Sequence, residues 1–204
     1  MPNWCNNSIQ IAGSKDFIDA MAASATAGGF CNHFKPVPAA LLETTAGSFG
    51  DPDQQAALEL QEAANLDKYG YKNWYDFCVA EWGTKWDVGG ENAYVEITEN
   101  TETGKWVLNF SFDSAWSPPI EIYEAIADAG HEIEAYYYEP GMAFCGKFTN
   151  AGGDEYYEIT GDSDWVVDNI PEDIDVSMGI SEGMASWEED EIDDAVAAEA
   201  DKTE

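Results

Sequence analysis

Arginine is absent from this 204-residue sequence, and its eight basic residues are all lysines. Against them stand 41 acidic residues, which give a formal net charge of −33 at pH 7. Proteins that bind nucleic acids neutralise phosphates with clustered Lys and Arg, so this charge excludes direct nucleic-acid binding. The same charge disfavours anionic membranes and acidic substrates.

Long apolar runs are also missing, and no segment has the length of hydrophobic sequence that crosses a bilayer. The first residues show neither the basic nor the apolar region of a secretory signal. We therefore expect a cytosolic protein that does not bind membranes. Disorder of the whole chain is excluded, because 45% of its residues are hydrophobic and 13% are aromatic, enough to form a core.

Cysteine and histidine are too sparse and too scattered to form a metal or nucleophilic site. The two histidines, His33 and His131, are far apart, and no Cys-x-x-Cys pair occurs. We predict no catalytic residues, no metal and no cofactor, and we expect the thiols to be reduced and buried. The cysteines are Cys5, Cys31, Cys78 and Cys145.

Hydrophobic periodicity predicts an α+β fold. Alternating apolar residues indicate strands at 6–11, 94–97, 106–112, 132–138, 142–148 and 156–159. Caps and helical spacing indicate helices after Ser14, after Asp51, over 74–82 and after Ser117, with residues 30–50 largely irregular. This order predicts a ferredoxin-like βαββαβ antiparallel sheet with a helical insertion at about 30–90 and an extra C-terminal hairpin.

Acidic residues are concentrated at the C-terminal end, where residues 154–204 hold 19 of them and one lysine. We predict a folded domain over 1–160 and an acidic tail over 161–204 that is disordered or helical in part. In the tail, Trp187, Ile192 and Val196 are candidate apolar anchors for a partner. The candidate partner-binding run is Trp187, Glu188, Glu189, Asp190, Glu191, Ile192, Asp193 and Asp194.

Four tryptophans form a second candidate surface, because they lie in loops or short helices. They are Trp74, Trp82, Trp86 and Trp116, and Tyr75 beside Trp74 belongs to the same aromatic set. Such residues either pin long connections onto the core or line a recognition surface. Any that are exposed lie near Asp76, Glu81 and Asp87 in the sequence, which favours a cationic partner through cation–π contact.

Several motifs resemble those of the YubB-type proteins of phages and plasmids. They are the opening Met1–Asn7, the aromatic stretches 74–78 and 82–87, the segment 112–119 and the turn 138–142. The resemblance covers about residues 1–150 and excludes the acidic tail. It implies a ferredoxin-like fold without an iron–sulfur cluster, a mobile-element origin and a host cytoplasm, and it implies no catalytic residues.

Together these observations predict a non-enzymatic interaction protein of a phage or mobile element that binds a basic host protein. Duplex DNA carries about one negative charge per 1.7 Å of axis, so carboxylates at similar density would mimic DNA and inhibit a defence or DNA-processing factor. Alternatively, a small ligand-binding protein or enzyme would have a pocket lined by Trp74, Trp86 and Trp116, with an acidic shell only for solubility in salt. A virion or assembly component would instead form closed oligomers.

Overall fold

The computed structural model describes the backbone of residues 3–200 and the side chains of residues 3–190. The strands are β1 (Trp4–Gly13), β2 (Tyr94–Asn100), β3 (Lys105–Ala115), β4 (Glu132–Glu139), β5 (Phe144–Thr149) and β6 (Gly153–Glu158). The helices are α1 (Lys15–Ala27), α2 (Phe30–Phe34), α3 (Ala39–Leu42), α4 (Pro52–Tyr69), α5 (Trp74–Trp82), α6 (Ile120–Asp128), α7 (Ser163–Asn169), α8 (Glu172–Met178) and α9 (Ile180–Ala200).

All six strands form one antiparallel sheet in the order β2-β3-β1-β4-β5-β6. The elements β1-α1-β2-β3-α6-β4 are the predicted ferredoxin-like βαββαβ unit, and helices α2–α5 are inserted between α1 and β2. The hairpin β5-β6 extends the sheet beyond β4. The predicted fold class is therefore confirmed.

The main core lies on the first face of the sheet. The alternation of β1 and β3 buries Ile9, Ile11 and Phe110 there, and α1, α2, α5 and α6 cover them. Tyr123 on α6 donates a hydrogen bond of 2.9 Å to the Asn7 side chain, which satisfies a polar group inside this core. The inserted helices thus share one core with the ferredoxin-like unit.

A second, smaller core lies on the opposite face, over the β4-β5 half of the sheet. Cys145 and Ile159 pack there with Val166, Ile170, Ile174 and Ile180, which come from α7–α9 and their connections. Helix α8 contacts both β4 and β5. The segment predicted as an acidic tail therefore begins with helices that pack on the sheet, because isoleucines interrupt its acidic sequence at the positions that face β4 and β5.

Three local predictions need correction. Residues 30–50 contain the short helices α2 and α3 instead of being largely irregular, since Phe30, Cys31 and Leu41 are buried there. Strands β5 and β6 lie at 144–149 and 153–158, slightly displaced from their predicted ranges. Ser117 does not cap α6, because its hydroxyl instead donates to the carbonyl oxygen of Gly83.

Each of the four cysteines is buried with a free thiol, as expected. Burial raises the pKa of Cys78 to about 12 and of Cys145 to about 11, so both thiols are protonated at neutral pH. Among the helices of residues 3–200, none combines the length and apolar character needed to cross a membrane.

Candidate functional site

Exposed aromatic side chains gather at one end of the sheet, which we call the aromatic end. Here β1 begins and β3 ends, and Trp4 pairs with Ala115 across these two strands. The rings of Trp4 and Trp86 lie 6.0 Å apart. Trp86 and Trp116 are 40% and 41% exposed, although large aromatic residues usually lie in the core. Exposed rings in such a group indicate a binding surface.

Lys85 lies inside a cage formed by Tyr75, Trp86 and Trp116. Its Nζ atom is 4.6 Å from the ring centroid of Trp86, 4.8 Å from that of Trp116 and 5.9 Å from that of Tyr75. These distances are within the range of cation–π attraction. We call these three rings the Lys85 cage, and they hold an ammonium group at the protein surface.

The loop that carries Lys85 and Trp86 is fixed on both sides. The Thr84 hydroxyl is buried and donates a 3.0 Å hydrogen bond to the carbonyl oxygen of Ala115 at the end of β3. Asp87 accepts hydrogen bonds from the backbone N–H groups of Cys31, Asn32 and Val88. Burial raises the pKa of Asp87, although these backbone donors act in the opposite direction. The cage is therefore built on rigid elements.

Trp116 has an unusual backbone conformation, with φ = 75°. A side chain in this left-handed region costs about 1 kcal/mol, and such strain is concentrated at functional sites. The conformation is held by two hydrogen bonds, one of 3.0 Å from the Trp116 N–H to the Asn3 carbonyl and one of 2.8 Å from the Ser114 hydroxyl to the Ser117 carbonyl. Strand β3 thus ends in a turn that keeps the Trp116 ring at the surface.

Helix α5 supplies the opposite wall of the cage. Its N-cap is Asn73, whose side chain accepts hydrogen bonds from the N–H groups of Tyr75 and Asp76, and it ends at Gly83 in the left-handed conformation. The cage opens into a groove of about 580 Å³, which we call the cage groove. Its lining residues are Ala46, Gly47, Asn73, Trp74, Tyr75, Asp76, Lys85, Trp86 and Trp116.

A second cleft, of about 400 Å³, shares Trp116 with the cage groove and contains Glu121 and Asp154. Within the described residues, Glu121 Oε2 is buried and has no hydrogen-bond partner. Burial raises the pKa of Glu121 and also that of Asp154, whose carboxylate accepts a 2.7 Å hydrogen bond from Tyr137. We call this the Glu121 cleft. Its carboxylates suit a second cationic group, and carboxyl groups of raised pKa also occur in active sites.

Of the four predicted tryptophans, the structure brings three together. Trp74, Trp86 and Trp116 all line the cage groove. Trp82 was predicted as a binding residue and is not available, because it is 3% exposed and its indole N–H donates to the Lys35 carbonyl at 2.8 Å. Trp82 therefore fixes α5 to the core, which is the structural role given above as the alternative to a recognition surface.

Of the three acidic residues near the tryptophans in the sequence, one lines the cage groove and two have partners within the protein. Asp76 lines the cage groove, whereas the Asp87 carboxylate accepts hydrogen bonds from backbone N–H groups of α2 and of its own loop. Glu81 accepts a hydrogen bond from Tyr71 and pairs with Lys35 at 3.2 Å, and these contacts lower its pKa. Asp76 alone of these three predicted carboxylates therefore faces the groove.

The predicted C-terminal candidates lie elsewhere. Trp187 is 69% exposed and lines a separate groove of about 570 Å³ with Met184 and Tyr138. Glu188 accepts hydrogen bonds from the backbone and hydroxyl of Ser163, so it ties α9 to α7 rather than facing a partner. Glu189 and Asp190 are exposed. The side chains of Glu191, Ile192, Asp193, Asp194 and Val196 lie outside the described residues.

Sequence reasoning did not find Lys85, Glu121 or Asp154 as site residues. One available signal was the position of Lys85 between Trp82 and Trp86, since a lysine in such an aromatic segment is a candidate cation–π partner. The side chains described by the structure include no group of three His, Cys, Asp or Glu arranged to hold a metal ion.

Comparisons with known proteins found one family model and one solved structure that are similar to this chain. No protein of curated function matches the sequence significantly. The crystal structure of a protein api92 from Yersinia pseudotuberculosis is similar over 79% of this chain and 100% of that chain, with 14% sequence identity and a TM-score of 0.38. Residues 81–176, from the end of α5 into α8, match the family model described as the ferredoxin-like domain in Api92-like protein.

Proposed function

We propose that this protein is a non-enzymatic interaction protein that binds a basic partner protein, and that the aromatic end receives cationic side chains of that partner. The observation that carries the proposal is the Lys85 cage, in which three aromatic rings surround an ammonium group in a surface groove. Rings that hold one cation are suited to hold another in its place.

The charge of the chain supports the same class of partner. A net charge of −33 attracts a basic protein over long range and accelerates its association, and this attraction weakens as salt screens the field. Asp76 and Glu121 place carboxylates beside the exposed rings. The field would then bring the partner to the surface, while the rings would select where its cationic groups bind.

The resemblance to YubB-type proteins supports a finer version of the proposal. In this version the chain is encoded by a phage or plasmid, acts in the host cytoplasm, and inhibits a defence or DNA-processing factor by occupying its DNA-binding surface. Carboxylates would stand in for phosphates, which in duplex DNA are spaced at about one charge per 1.7 Å of axis. The target would be basic, and DNA would compete with this protein for it.

Affinity capture from host lysate across a salt series tests the proposal. We expect Lys- and Arg-rich proteins to be enriched at low salt and released as salt rises. Trp86→Ala should reduce this capture several-fold, since it removes one wall of the cage. Trp187→Ala is the matched control, because it removes another exposed tryptophan outside the cage groove.

Two results would count against the proposal. If no basic protein is enriched at low salt, the acidic surface has no partner of this class. If Trp86→Ala captures as much as the wild type while Trp187→Ala captures less, the binding site is at α9 and not at the aromatic end. Competition by duplex DNA for the captured protein then separates DNA mimicry from other modes of binding.

A second candidate function is a small ligand-binding protein or enzyme. It is favoured by one observation, the convergence of Trp74, Trp86 and Trp116 on a groove of about 580 Å³. In that case the acidic shell would serve only solubility in salt. A change in tryptophan fluorescence on titration with an uncharged or anionic small molecule, lost in Trp86→Ala, would favour this function over binding of a basic protein.

A further inference from the structure

The Lys85 ammonium group faces three aromatic rings, whereas those of Lys15 and Lys68 each face one. Within residues 3–190, the ion pairs are made by Lys15, Lys35, Lys105 and Lys147. Lys68, Lys72 and Lys85 are not in this set, and of these three only Lys85 lies among several rings. Its Nζ atom is surrounded instead by ring faces. The cage thus holds its cation by aromatic faces and not by a carboxylate.

The rings meet only part of what an unmodified lysine requires. A primary ammonium carries three N–H donors and is strongly hydrated, and aromatic faces do not replace the acceptors that water supplies. The ammonium hydrogen bonds among the described side chains belong to Lys15, Lys105 and Lys147. A quaternary ammonium group has no N–H donors and spreads its charge over methyl groups, so ring faces satisfy it completely.

We propose that the cage groove binds the quaternary ammonium group of a trimethylated lysine side chain on the basic partner, and that Lys85 occupies the cage until that group replaces it. This inference rests on the proposed function and specifies its ligand. Charge complementarity favours a side chain within a basic protein over a free quaternary amine. A basic segment would contact Asp76 and the wider acidic surface at the same time as the cage, and a small monovalent ligand would not.

The rigid setting of the cage supports exchange of one cation for another. Thr84 and Asp87 anchor the loop on either side of Lys85 and Trp86 through hydrogen bonds to β3 and to the backbone of α2. The Lys85 side chain itself has no such anchor within the described residues. It can therefore leave by rotation about its own bonds while the rings stay in place. An incoming cation must compete with it, so Lys85 lowers the apparent affinity of the site.

Two matched variants separate this competition from a simple change of charge. Lys85→Ala empties the cage, while Lys72→Ala removes one positive charge from an exposed lysine outside the cage groove. Both should strengthen the general attraction of cations equally. Only Lys85→Ala should also remove the internal competitor.

The experiment measures binding to the full-length protein at constant ionic strength. The probes are tetramethylammonium and two fluorescent lysine-rich peptides of the same sequence, one unmodified and one with a single trimethyllysine. We expect the trimethylated peptide to bind the wild type about fivefold more tightly than the unmodified one. Lys85→Ala should bind tetramethylammonium about fivefold more tightly than Lys72→Ala does, and Trp86→Ala should lose the preference for the trimethylated peptide.

Three results would overturn the inference, and each is distinct from failure of the proposed function. If the two peptides bind with equal affinity in every variant, the trimethyllysine ligand is rejected, while the proposal of a basic partner still stands. Equal effects of Lys85→Ala and Lys72→Ala would show that Lys85 acts only as a charge. Binding of tetramethylammonium without any preference between the peptides would assign the cage to a free quaternary amine. The proposed function itself fails if neither peptide binds.

Discussion

Replacing Ile174 with alanine should destabilise the whole protein, because its side chain lies fully buried between α8 and the sheet. Its exposed fraction is 0%, and its buried neighbours in the second core come from β5, α7 and α9 and from the segments after β6 and before α8. The substitution removes three carbon atoms and leaves a cavity that surrounding helices fill only in part. It therefore tests whether the acidic C-terminal helices belong to the folded domain.

The expected loss is about 3 kcal/mol, the middle of the range for an isoleucine truncated to alanine in a tight core. For a protein of this length, that loss lowers the melting temperature by about 10 °C. The matched control is Val176→Ala on the same helix, where the side chain is 74% exposed. This second change should cost less than about 0.5 kcal/mol.

Urea unfolding followed by circular dichroism and tryptophan fluorescence measures both variants. We expect one cooperative transition whose midpoint shifts for Ile174→Ala and stays in place for Val176→Ala. Equal, small effects of the two substitutions would refute the reasoning, because α8 would then not be docked. A separate early transition in the wild type would refute it too. If α8 is docked, deleting residues 161–204 would uncover Tyr136, Tyr138 and Cys145, so point substitutions are the cleaner test of binding.

Three further predictions follow from the charges and buried polar groups. Raising the KCl concentration should increase the melting temperature by several degrees, because salt screens the repulsion within a net charge of −33; an unchanged value would contradict this. Glu121→Gln should raise the free energy of unfolding by up to about 0.5 kcal/mol at pH 7, because it removes the charge of a half-buried carboxylate whose Oε2 atom has no partner, and solvent screens the rest. Burial raises the pKa of Glu121, so the ionised carboxylate destabilises the folded protein at pH values above that pKa. Below pH 4.5 the carboxyl is protonated in both the folded and the unfolded state, and the gain from Glu121→Gln should disappear. An equal gain in urea unfolding at both pH values would contradict this explanation. Thr84→Val should cost about 1–2 kcal/mol in urea unfolding, since it leaves the Ala115 carbonyl without its buried donor, whereas a neutral effect would show that water replaces the hydroxyl.

Much of the fold could be predicted from the sequence, because its elements carry strong local signals. Helix α5 lies at its predicted 74–82, since Asn73 is a strong N-cap and Gly83 adopts the left-handed conformation that ends a helix. In β3, the alternation of Leu108, Phe110 and Phe112 sets one face toward the core, as predicted. The order of strands and helices along the chain indicates the βαββαβ pattern, and the sheet order β2-β3-β1-β4 is the one that the structure shows for this unit.

The docking of α7–α9 could not be predicted in the same way. Residues 154–204, which contain these helices, hold 19 acidic residues and one lysine, a composition that is typical of a solvated tail. Ile170, Ile174 and Ile180 are buried only because Tyr136, Tyr138 and Cys145 present apolar surface on the second face of β4 and β5. That surface depends on strand pairing distant in sequence, which periodicity does not reveal.

The candidate site was predicted in part. The tryptophans were identified as a group, but Trp82 was wrongly included, and its spacing from Phe77 and Cys78 on α5 was a signal that it faces the core. Lys85 was missed because its ring partners come from α5 and from the turn after β3, 10 and 31 residues away along the chain. Only the tertiary structure brings Tyr75 and Trp116 to one ammonium group.

Because the backbone at Trp116 is left-handed, its conformation favours glycine at this position, whereas the aromatic end requires the tryptophan ring. Glycine adopts φ = 75° at no steric cost, whereas tryptophan pays about 1 kcal/mol of backbone strain here. Tryptophan at this position also exposes a large apolar ring, which makes the folded protein less soluble. Backbone strain and exposure of the ring therefore both oppose tryptophan at this position, and the proposed contact with a partner would offset them.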